Sequence, residues 1–265
     1  MKTIVLANQK GGVGKSAIAV QLAYYLAILL AKRVLVIDFD HQRNTSKAIR
    51  TGGLATVSAI TSSGILKTKN AGVEHADFVL VAGDADLIKM EKNAAEHNAY
   101  ASNLYAFLAS VADQFDVCVI DTNPNPDIRQ LASLVVSDFV LSPIQLNQEA
   151  IDGIGDLLNH ENIGIRKIQA TINKKLQLIG ILPNIVEPTP FQRNNFRDLS
   201  KAFAKLLIPL GSGFAAIKKS TAIAEAQAAG LPVWKLGKTS ARDSWGQMKP
   251  VFEKIAQTMG VETNA

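Results

Sequence analysis

The stretch TIVLANQKGGVGKSAIAVQLAYYLAILLA, residues 3–31, decides the fold of this chain. An apolar run of β-branched residues leads into a glycine-rich turn, and a long segment with apolar residues at helical spacing follows it. Strand, glycine loop and helix in this order form the context that a phosphate-binding loop requires. The sequence therefore predicts that residues 10–16 wrap around the phosphates of a nucleotide.

Strand-like runs and helical segments alternate along the rest of the chain. The further runs are RVLVID (33–38), DFVLVA (77–82), DVCVID (116–121), DFVLSPI (138–144) and LIGILPN (178–184). These runs do not alternate apolar with polar residues, which is typical of strands buried on both faces of a parallel sheet. Residues 85–113 and 147–159 repeat apolar residues at helical spacing. We expect an α/β fold with a doubly wound, mostly parallel sheet flanked by helices, and a loop with a short helix over 51–76.

Bulk properties limit the possible classes of protein. A chain of 265 residues that is 48% hydrophobic is expected to form a single domain, 1–265. One cysteine, Cys118, excludes an intrachain disulfide, a four-cysteine zinc site and a self-contained iron-sulfur cluster. The first residues lack the features of an export signal, and their apolar run is too short to span a bilayer. A soluble protein in the cytoplasm is the expectation.

Each residue type in the predicted loop suits an anion site. Gly11, Gly12 and Gly14 let the backbone curl so that successive N–H groups face one anion, and the helix that follows adds its dipole. Lys15 is placed to reach the β- and γ-phosphates, and the Ser16 hydroxyl to bind magnesium. The alternative is a glycine-rich turn that only joins a strand to a helix. Lysine and serine after the last glycine, in the required order, favour the phosphate site.

The spelling KGGVGKS differs from the ordinary loop pattern GxxxxGK[ST], because Gln9 stands where that pattern has glycine and Lys10 precedes the paired glycines. It resembles the deviant Walker A motif of the ParA/MinD family of ATPases. RVLVIDFDHQRNTS (33–46) looks like the second motif of that family, with carboxylates at Asp38 and Asp40. DVCVIDTNPNPD (116–127) is similar to its Walker B strand, which ends at Asp121. The resemblance covers nearly the whole chain.

The resemblance implies ATP and Mg²⁺ as cofactors and assigns roles to individual residues. The catalytic residues it implies are Lys10, Lys15, Asp40 and Asp121, and the magnesium ligands are Ser16, Asp40 and Asp121. Asp40 is the residue expected to position the attacking water. The loop itself comprises Lys10, Gly11, Gly12, Val13, Gly14, Lys15, Ser16 and Ala17. Asn184, Pro232 and Val233 occupy positions near the adenine, although Asn184 is also a common turn former.

Lys10 carries a further implication. In the family, the lysine at this position reaches the nucleotide of a second subunit, so that a homodimer encloses two ATP molecules. The alternative is a lysine exposed to solvent at the mouth of the loop. Ala17, His41 and Asn123 depart from the family pattern, which has a hydroxyl and two prolines at these positions. None of the three departures removes a phosphate or metal ligand, and we expect them to alter nucleotide affinity or turnover.

Positive charge is concentrated in the second half of the chain. Residues 1–150 carry 13 Lys and Arg against 14 Asp and Glu, whereas residues 151–265 carry 15 against 9. Four basic residues spaced by four share one face of a predicted helix, and three more follow: Arg193, Arg197, Lys201, Lys205, Lys219, Lys238 and Arg242. Such a surface suits nonspecific contact with DNA phosphates. A solvated helix face is the alternative.

Together these features favour a ParA-type partition ATPase that dimerises with ATP, binds DNA nonspecifically and is stimulated by a ParB-like centromere-binding partner. The tail KPVFEKIAQTMGVETNA (249–265) looks like a helix that packs on the domain, so no membrane partner is expected. Two alternatives stay open. One is a positioning ATPase for another cargo, and the other is an ATP-dependent amidase or synthetase of small carboxylates on the same core.

Overall fold

A computed structural model describes residues 1–262 and contains one parallel sheet of seven strands within them. The strands are β1 (Lys2–Leu6), β2 (Val34–Asp38), β3 (Thr56–Val57), β4 (Phe78–Val81), β5 (Val117–Asp121), β6 (Phe139–Ile144) and β7 (Gln177–Pro183). Their order across the sheet is β3-β4-β2-β5-β1-β6-β7. A small antiparallel hairpin joins β8 (Pro209–Leu210) to β9 (Gly213–Phe214).

Helices connect the strands and cover both faces of the sheet. They are α1 (Lys15–Tyr24), α2 (Asn44–Gly52), α3 (Ser62–Lys67), α4 (Leu87–Met90), α5 (His97–Ser110), α6 (Ile128–Val136), α7 (Gln148–Asp152), α8 (Ile154–Asn159), α9 (Ile165–Thr171), α10 (Pro190–Phe203), α11 (Thr221–Ala229) and α12 (Thr239–Met259). None of the helices within residues 1–262 has the length and apolar character needed to cross a bilayer.

Side chains of β1 alternate between two hydrophobic cores. Val5 packs in one core with Leu104 of α5, and Ile4 packs in the other with Leu22 of α1 and Phe252 of α12. Both faces of the strand are therefore buried, which explains why its sequence is apolar without alternation. The doubly wound α/β fold predicted from the sequence is confirmed.

Three predicted helices are interrupted in the structure. The segment after the glycine loop leaves the α-helical pattern at Tyr25 and continues as a π-helical turn to Leu29. Residues 85–113 divide into α4, a 3₁₀ turn and α5, with a break at Asn93, whose φ of −110° and ψ of 70° are not helical. Residues 147–159 divide at Gly153 into α7 and α8. Asparagine and glycine favour such breaks because they weaken helices locally.

The stretch 51–76 and the tail of the chain largely follow the sequence prediction. The stretch 51–76 contains the expected short helix, α3, and also the two-residue edge strand β3, which is too short to leave a pattern in the sequence. Helix α12 packs its residues Val251, Ile255 and Met259 into the core, as predicted for the tail. Residues 263–265 of that tail lie outside the described residues.

The sheet order brings the proposed motifs to one edge. β5 lies between β1 and β2, and Asp121 is in register with Leu6 on one side and with Asp38 on the other. The glycine loop, the Asp38–Asp40 turn and the Asp121–Asn123 turn therefore leave the sheet side by side. In open α/β sheets, ligands bind at this carboxyl edge of the strands.

Candidate functional site

The glycine loop has a backbone shape that requires glycine at two positions. Gly12 and Gly14 have φ values of 74° and 88°, in the left-handed region that other residues adopt only with strain. A Cβ atom on Gly14 would also lie 2.2 Å from Asn184 Nδ2. That amide donates a hydrogen bond of 2.9 Å to the Val13 carbonyl. Asn184 therefore holds the loop from outside and leaves no room for a side chain at Gly14.

The loop encloses an open cavity of about 370 Å³ at the carboxyl edge. Its lining comes from the loop and from the ends of β2, β5 and α11, and it includes Gly11, Gly12, Val13, Gly14, Lys15, Ser16, Ala17, Asp40, Gln42, Asn44, Pro124 and Gln227. The cavity therefore brings the whole predicted loop except Lys10 together with Asp40. The sequence did not point to Gln42, Asn44, Pro124 or Gln227, since nothing local marks them as cavity residues.

Lys15 is nearly buried, with 6% of its surface exposed. Its Nζ donates hydrogen bonds to the Asn8 carbonyl at 3.1 Å and the Lys10 carbonyl at 3.0 Å. Burial lowers the pKa of Lys15, and the nearby charges of Asp121 and Asp40 oppose that shift. The ammonium group is thus held at the centre of the loop by neutral acceptors, which a phosphate oxygen would replace with charged ones.

Asp38 connects the end of β2 to the start of α2. Its carboxylate accepts hydrogen bonds from the Ser46 N–H at 2.8 Å, the Ser46 hydroxyl at 2.6 Å and the Asp40 N–H at 3.0 Å. Burial, followed by the charge of Asp121, raises the pKa of Asp38 to about 7. With these contacts Asp38 supports the turn that carries Asp40.

Asp121 lies at the floor of the site and is completely buried. Its Oδ2 accepts a hydrogen bond of 2.7 Å from the Thr45 hydroxyl, while its Oδ1 has no partner among the described residues. Burial raises the pKa of Asp121 to about 6, against the lowering influence of the Ser16 and Thr45 hydroxyls and the Lys15 charge. One oxygen of the buried Asp121 carboxylate, Oδ1, is therefore left free to accept a further donor or to face a metal ion.

The donor set next to the cavity fits a magnesium ion that shares its ligands with phosphate and water. Within residues 1–262 no three His, Cys, Asp or Glu side chains form a cluster able to hold a metal by themselves. Ser16, Asp40 and Asp121 supply oxygen atoms, and the Asp121 Oδ1 lacks a partner. Hard cations such as Mg²⁺ prefer oxygen ligands and usually keep several waters beside a nucleotide.

A second cavity of about 320 Å³ adjoins the first and shares Gly14 and Ala17 with it. Ile18, Ile185 and Ile223 give it apolar walls, and Asn184 lies at its inner side. An apolar slot next to a phosphate cavity fits a nucleobase. Asn184, which the resemblance places near the base, lines this cavity, and its contact with a base stays a prediction. Nothing in the sequence pointed to the isoleucines; Ile185 has a left-handed φ of 57° that no local pattern signals.

Pro232 and Val233 line neither of these two cavities, and their place near the base stays a prediction. Val233 is completely buried, and its N–H donates a hydrogen bond of 2.8 Å to Gln21 Oε1. The chain reverses at the end of α11 and packs this segment against α1.

Lys10 does not line the cavity that the rest of the glycine loop encloses. Its Nζ is 3.3 Å from Glu149 Oε2, and its side chain lines a separate cavity of about 160 Å³ with Gly153 and Leu157. About a third of the Lys10 side chain is exposed. In the single chain, therefore, Lys10 does not contribute to its own phosphate cavity.

The predicted DNA-contact residues are exposed, but they do not all lie on one helix. Arg193, Arg197 and Lys201 lie along α10, whereas Lys205 falls in the 3₁₀ turn after the helix ends at Phe203. The predicted stripe of four on a helix is therefore wrong for Lys205.

Several of these cations have acidic neighbours. Lys219 pairs with Glu187 at 2.5 Å, Arg197 Nε lies 3.4 Å from Asp198 Oδ1, and Lys238 pairs with Glu225. Arg242 is exposed on α12. All of these pairs lie on the surface, where an ion pair contributes about 0 to 1 kcal/mol. They do not prevent the cations from exchanging partners.

Comparison with known proteins gives consistent matches along the sequence. Residues 1–178 match the family model described as an AAA domain. The chain is 31% identical to Protein IncC of Escherichia coli over 265 residues, which cover 98% of this chain and 70% of that protein. It is 28% identical to the chromosome-partitioning ATPase Soj of Treponema pallidum, covering 97% of this chain and 96% of that one.

Solved structures share the fold. The ATP complex of McdA from Cyanothece superposes with a TM-score of 0.77 at 21% identity, covering 100% of this chain and 98% of that one. Cobyrinic acid a,c-diamide synthase of Mycobacterium smegmatis, with a bound ATP analogue and magnesium, superposes with a TM-score of 0.68 at 23% identity, covering 90% and 97%. At these identities the likeness shows the fold alone.

Proposed function

This chain belongs to the ParA/MinD family of deviant Walker A ATPases, and we propose that it works as a ParA-type partition ATPase. The observation that carries the proposal is the glycine loop, which encloses a phosphate cavity with Lys15 at its centre while its second lysine, Lys10, lies outside. The partition role is supported by similarity to Soj, whose name describes a chromosome-partitioning ATPase. The reaction proposed is hydrolysis of ATP to ADP and phosphate.

The residues of the site supply the groups that this reaction needs. Lys15 and the loop N–H groups neutralise and orient the β- and γ-phosphates, and Asn184 keeps the loop in the shape that does so. Asp40 lines the cavity next to Gln42 and is placed to orient the attacking water. Mg²⁺, held by Ser16, Asp40 and Asp121, would supply neutralisation of the phosphate charge that develops during transfer.

Dimerisation follows from the position of Lys10. Because its ammonium group does not line its own phosphate cavity, a partner subunit's nucleotide is the acceptor that gives it a catalytic role. The Glu149 contact, with Glu149 85% exposed, is too weak to hold Lys10 in place. A dimer that depends on the γ-phosphate would make ATP the signal for assembly.

The cations proposed to bind DNA are spread over several surface segments. The exposed cations of α10 and the residues Lys205, Lys219, Lys238 and Arg242 would contact phosphates of nucleoid DNA in the cytoplasm without reading bases. A ParB-like partner would then stimulate hydrolysis and release. Such a surface predicts binding that falls steeply with salt and is insensitive to sequence.

The dimerisation test compares two lysine variants. Lys10→Ala is expected to bind ATP but remain monomeric, because the loop and its cavity stay intact. Lys15→Ala is expected to lose ATP binding. The assays are calorimetry and light scattering with and without ATP. An ATP-dependent dimer formed by Lys10→Ala would remove Lys10 from the proposed interface.

The DNA test uses charge reversal at matched sites. Arg197→Glu with Lys201→Glu is expected to weaken binding to a random duplex by about tenfold or more and to reduce the salt slope by about 2. Lys174→Glu with Lys175→Glu, both exposed before the amino end of β7, is the control with the same change in charge outside the proposed surface. ATP affinity should stay unchanged in both variants. Unchanged DNA affinity in Arg197→Glu with Lys201→Glu would remove the α10 surface from the proposal.

Two alternatives use the same core. An ATP-dependent amidase or synthetase of small carboxylates would show ATPase activity that is indifferent to DNA at low salt. A positioning ATPase for another cargo would keep the dimer and the DNA response, and differ only in the partner that stimulates it.

A further inference from the structure

A buried polar network joins the turn that follows β2 to the turn that follows β5. His41 follows β2 in the turn that carries Asp40, and Asn123 follows β5 after Asp121. Between them lies Arg129, in the first turn of α6, with only 3% of its side chain exposed. A buried guanidinium group needs partners for its donors, and the network supplies them.

Asp127 is the central acceptor of this network. Arg129 Nε is 3.2 Å from Asp127 Oδ1 and 3.1 Å from Oδ2, and its NH2 group also donates to Oδ2. The Asn123 amide donates to the same Oδ2 at 2.8 Å. The ion pair between Arg129 and Asp127 is therefore bidentate and buried, and Asn123 connects it to the turn after Asp121. These contacts fix the plane of the guanidinium group.

The remaining nitrogen of Arg129 faces His41. Arg129 NH1 lies 3.3 Å from His41 Nδ1. A guanidinium group can only donate, so Nδ1 must be the acceptor and the ring hydrogen must lie on Nε2. The atom 3.0 Å from His41 Nε2 is Gln42 Nε2, which can only donate. Rotating the Gln42 amide by 180° brings its oxygen to this position, where it accepts the hydrogen of His41 Nε2. Arg129 thereby fixes both the tautomer and the orientation of the imidazole.

His41 in turn borders the carboxylate placed to orient water. His41 Nδ1 is 3.7 Å from Asp40 Oδ1, which also accepts the Gln42 N–H at 2.9 Å. Asp40 and Gln42 line the phosphate cavity, whereas His41, Asp127 and Arg129 do not. Arg129 thus does not touch the cavity, and it reaches the site through the His41 turn and, by way of Asp127 and Asn123, through the turn after Asp121.

We propose that Arg129 is a positioning residue for ATP hydrolysis, which holds the Asp40 turn over the phosphate cavity through His41 and links it to the turn after Asp121. His41 and Asn123 each supply a polar contact to this network, one to the guanidinium group and one to the carboxylate of Asp127. The inference rests on the proposed ATPase function for its kinetic part, and its structural part stands separately.

The test uses His41→Ala, Arg129→Lys and the double variant. Each single change is expected to lower kcat about tenfold while ATP affinity, measured by calorimetry, stays within about twofold. Because both residues act along one path, the double variant should be no slower than the slower single variant. His75→Ala, an exposed histidine before the amino end of β4, is the control and should keep kcat within about twofold.

A second readout does not depend on hydrolysis. Nitrogen chemical shifts of His41, assigned by comparison with His41→Ala, should show the tautomer with hydrogen on Nε2 in the original chain and a mixture in Arg129→Lys. If the original chain hydrolyses no ATP but shows this tautomer and this change, the proposed function fails while the network stands. An unchanged tautomer in Arg129→Lys overturns the inference.

The kinetic outcomes are equally decisive. Multiplying effects in the double variant, or an affinity loss that accounts for the fall in kcat, would overturn the positioning role. Arg129→Lys keeps the charge that Asp127 needs, and urea unfolding checks that it folds. If it does not fold, His41→Ala, in a turn that is partly exposed, carries the kinetic test alone: kcat within about twofold of the original would refute the proposal.

Discussion

Replacing the loop glycines one at a time by alanine separates two demands on the glycine loop. Gly11 has no left-handed φ, and a Cβ there meets nothing within 4 Å. Gly12 has a φ of 74° but equally open surroundings, and Gly14 combines a φ of 88° with the 2.2 Å approach of Asn184 Nδ2. The three substitutions therefore add first no strain, then backbone strain alone, then backbone strain with a steric conflict.

The expected losses of unfolding free energy follow from these contacts. Gly11→Ala should be neutral or slightly stabilising, because it restricts only the unfolded chain. Gly12→Ala should cost about 1 to 2 kcal/mol for a left-handed backbone. Gly14→Ala should cost about 2 to 5 kcal/mol, since displacing Asn184 also leaves its amide and the Val13 carbonyl without their 2.9 Å hydrogen bond.

Urea unfolding of the protein without nucleotide measures these differences through the midpoint at constant slope. A double-mutant cycle with Asn184→Ala adds a sharper test, because removing the amide relieves the conflict and should reduce the cost of Gly14→Ala to that of Gly12→Ala. The reasoning would be refuted if Gly14→Ala and Gly12→Ala unfolded at the same urea concentration, or if the Asn184→Ala background left the difference between them unchanged.

Three further predictions concern charge and packing. Because the pKa of Asp38 is raised to about 7 in the folded state, this carboxyl group binds more protons in the folded protein than in the unfolded chain between about pH 4 and pH 7. Asp38 should therefore contribute a loss of stability as pH rises through that window, of at most about 1.4 kcal/mol per pH unit from this one group. Asp38→Asn should remove this contribution and flatten the slope in thermal or urea unfolding of the nucleotide-free protein, and an equal slope in both proteins would contradict the assignment. Glu149→Gln should change the free energy of unfolding by less than about 0.5 kcal/mol, because its contact with Lys10 is exposed; a loss of several kcal/mol would mean that this pair organises the loop. Phe252→Ala should cost about 3 to 5 kcal/mol because α12 is part of the core, whereas Tyr105→Ala, 68% exposed, should stay within about 0.5 kcal/mol, and similar midpoints for the two variants would contradict the packing of α12.

The central strands and the glycine loop were predictable because their signals are local. Strands buried on both faces produce apolar runs without alternation, and a loop that curls around an anion needs glycine at adjacent positions. The two-residue strand β3 left no such signal, and the break of the helical segment at Asn93 depends on one residue's conformation.

Residues that meet only through the fold were less predictable. The packing of Pro232 and Val233 against α1 has no local signal, and Lys205 has the spacing of the α10 stripe but lies past the end of the helix. Arg129 had no motif at all. Arg129 contacts His41 directly and Asn123 only through Asp127. In the sequence His41 and Asn123 stand out only as departures from a pattern, and the network that joins them depends on the three-dimensional arrangement.

The most direct test of the account is calorimetric titration of ATP into the protein in millimolar magnesium. We expect saturable binding at one site per chain, lost in Lys15→Ala and retained in Lys10→Ala. The absence of measurable binding to the original chain, or binding that survives Lys15→Ala unchanged, would contradict the placement of the nucleotide in the glycine-loop cavity.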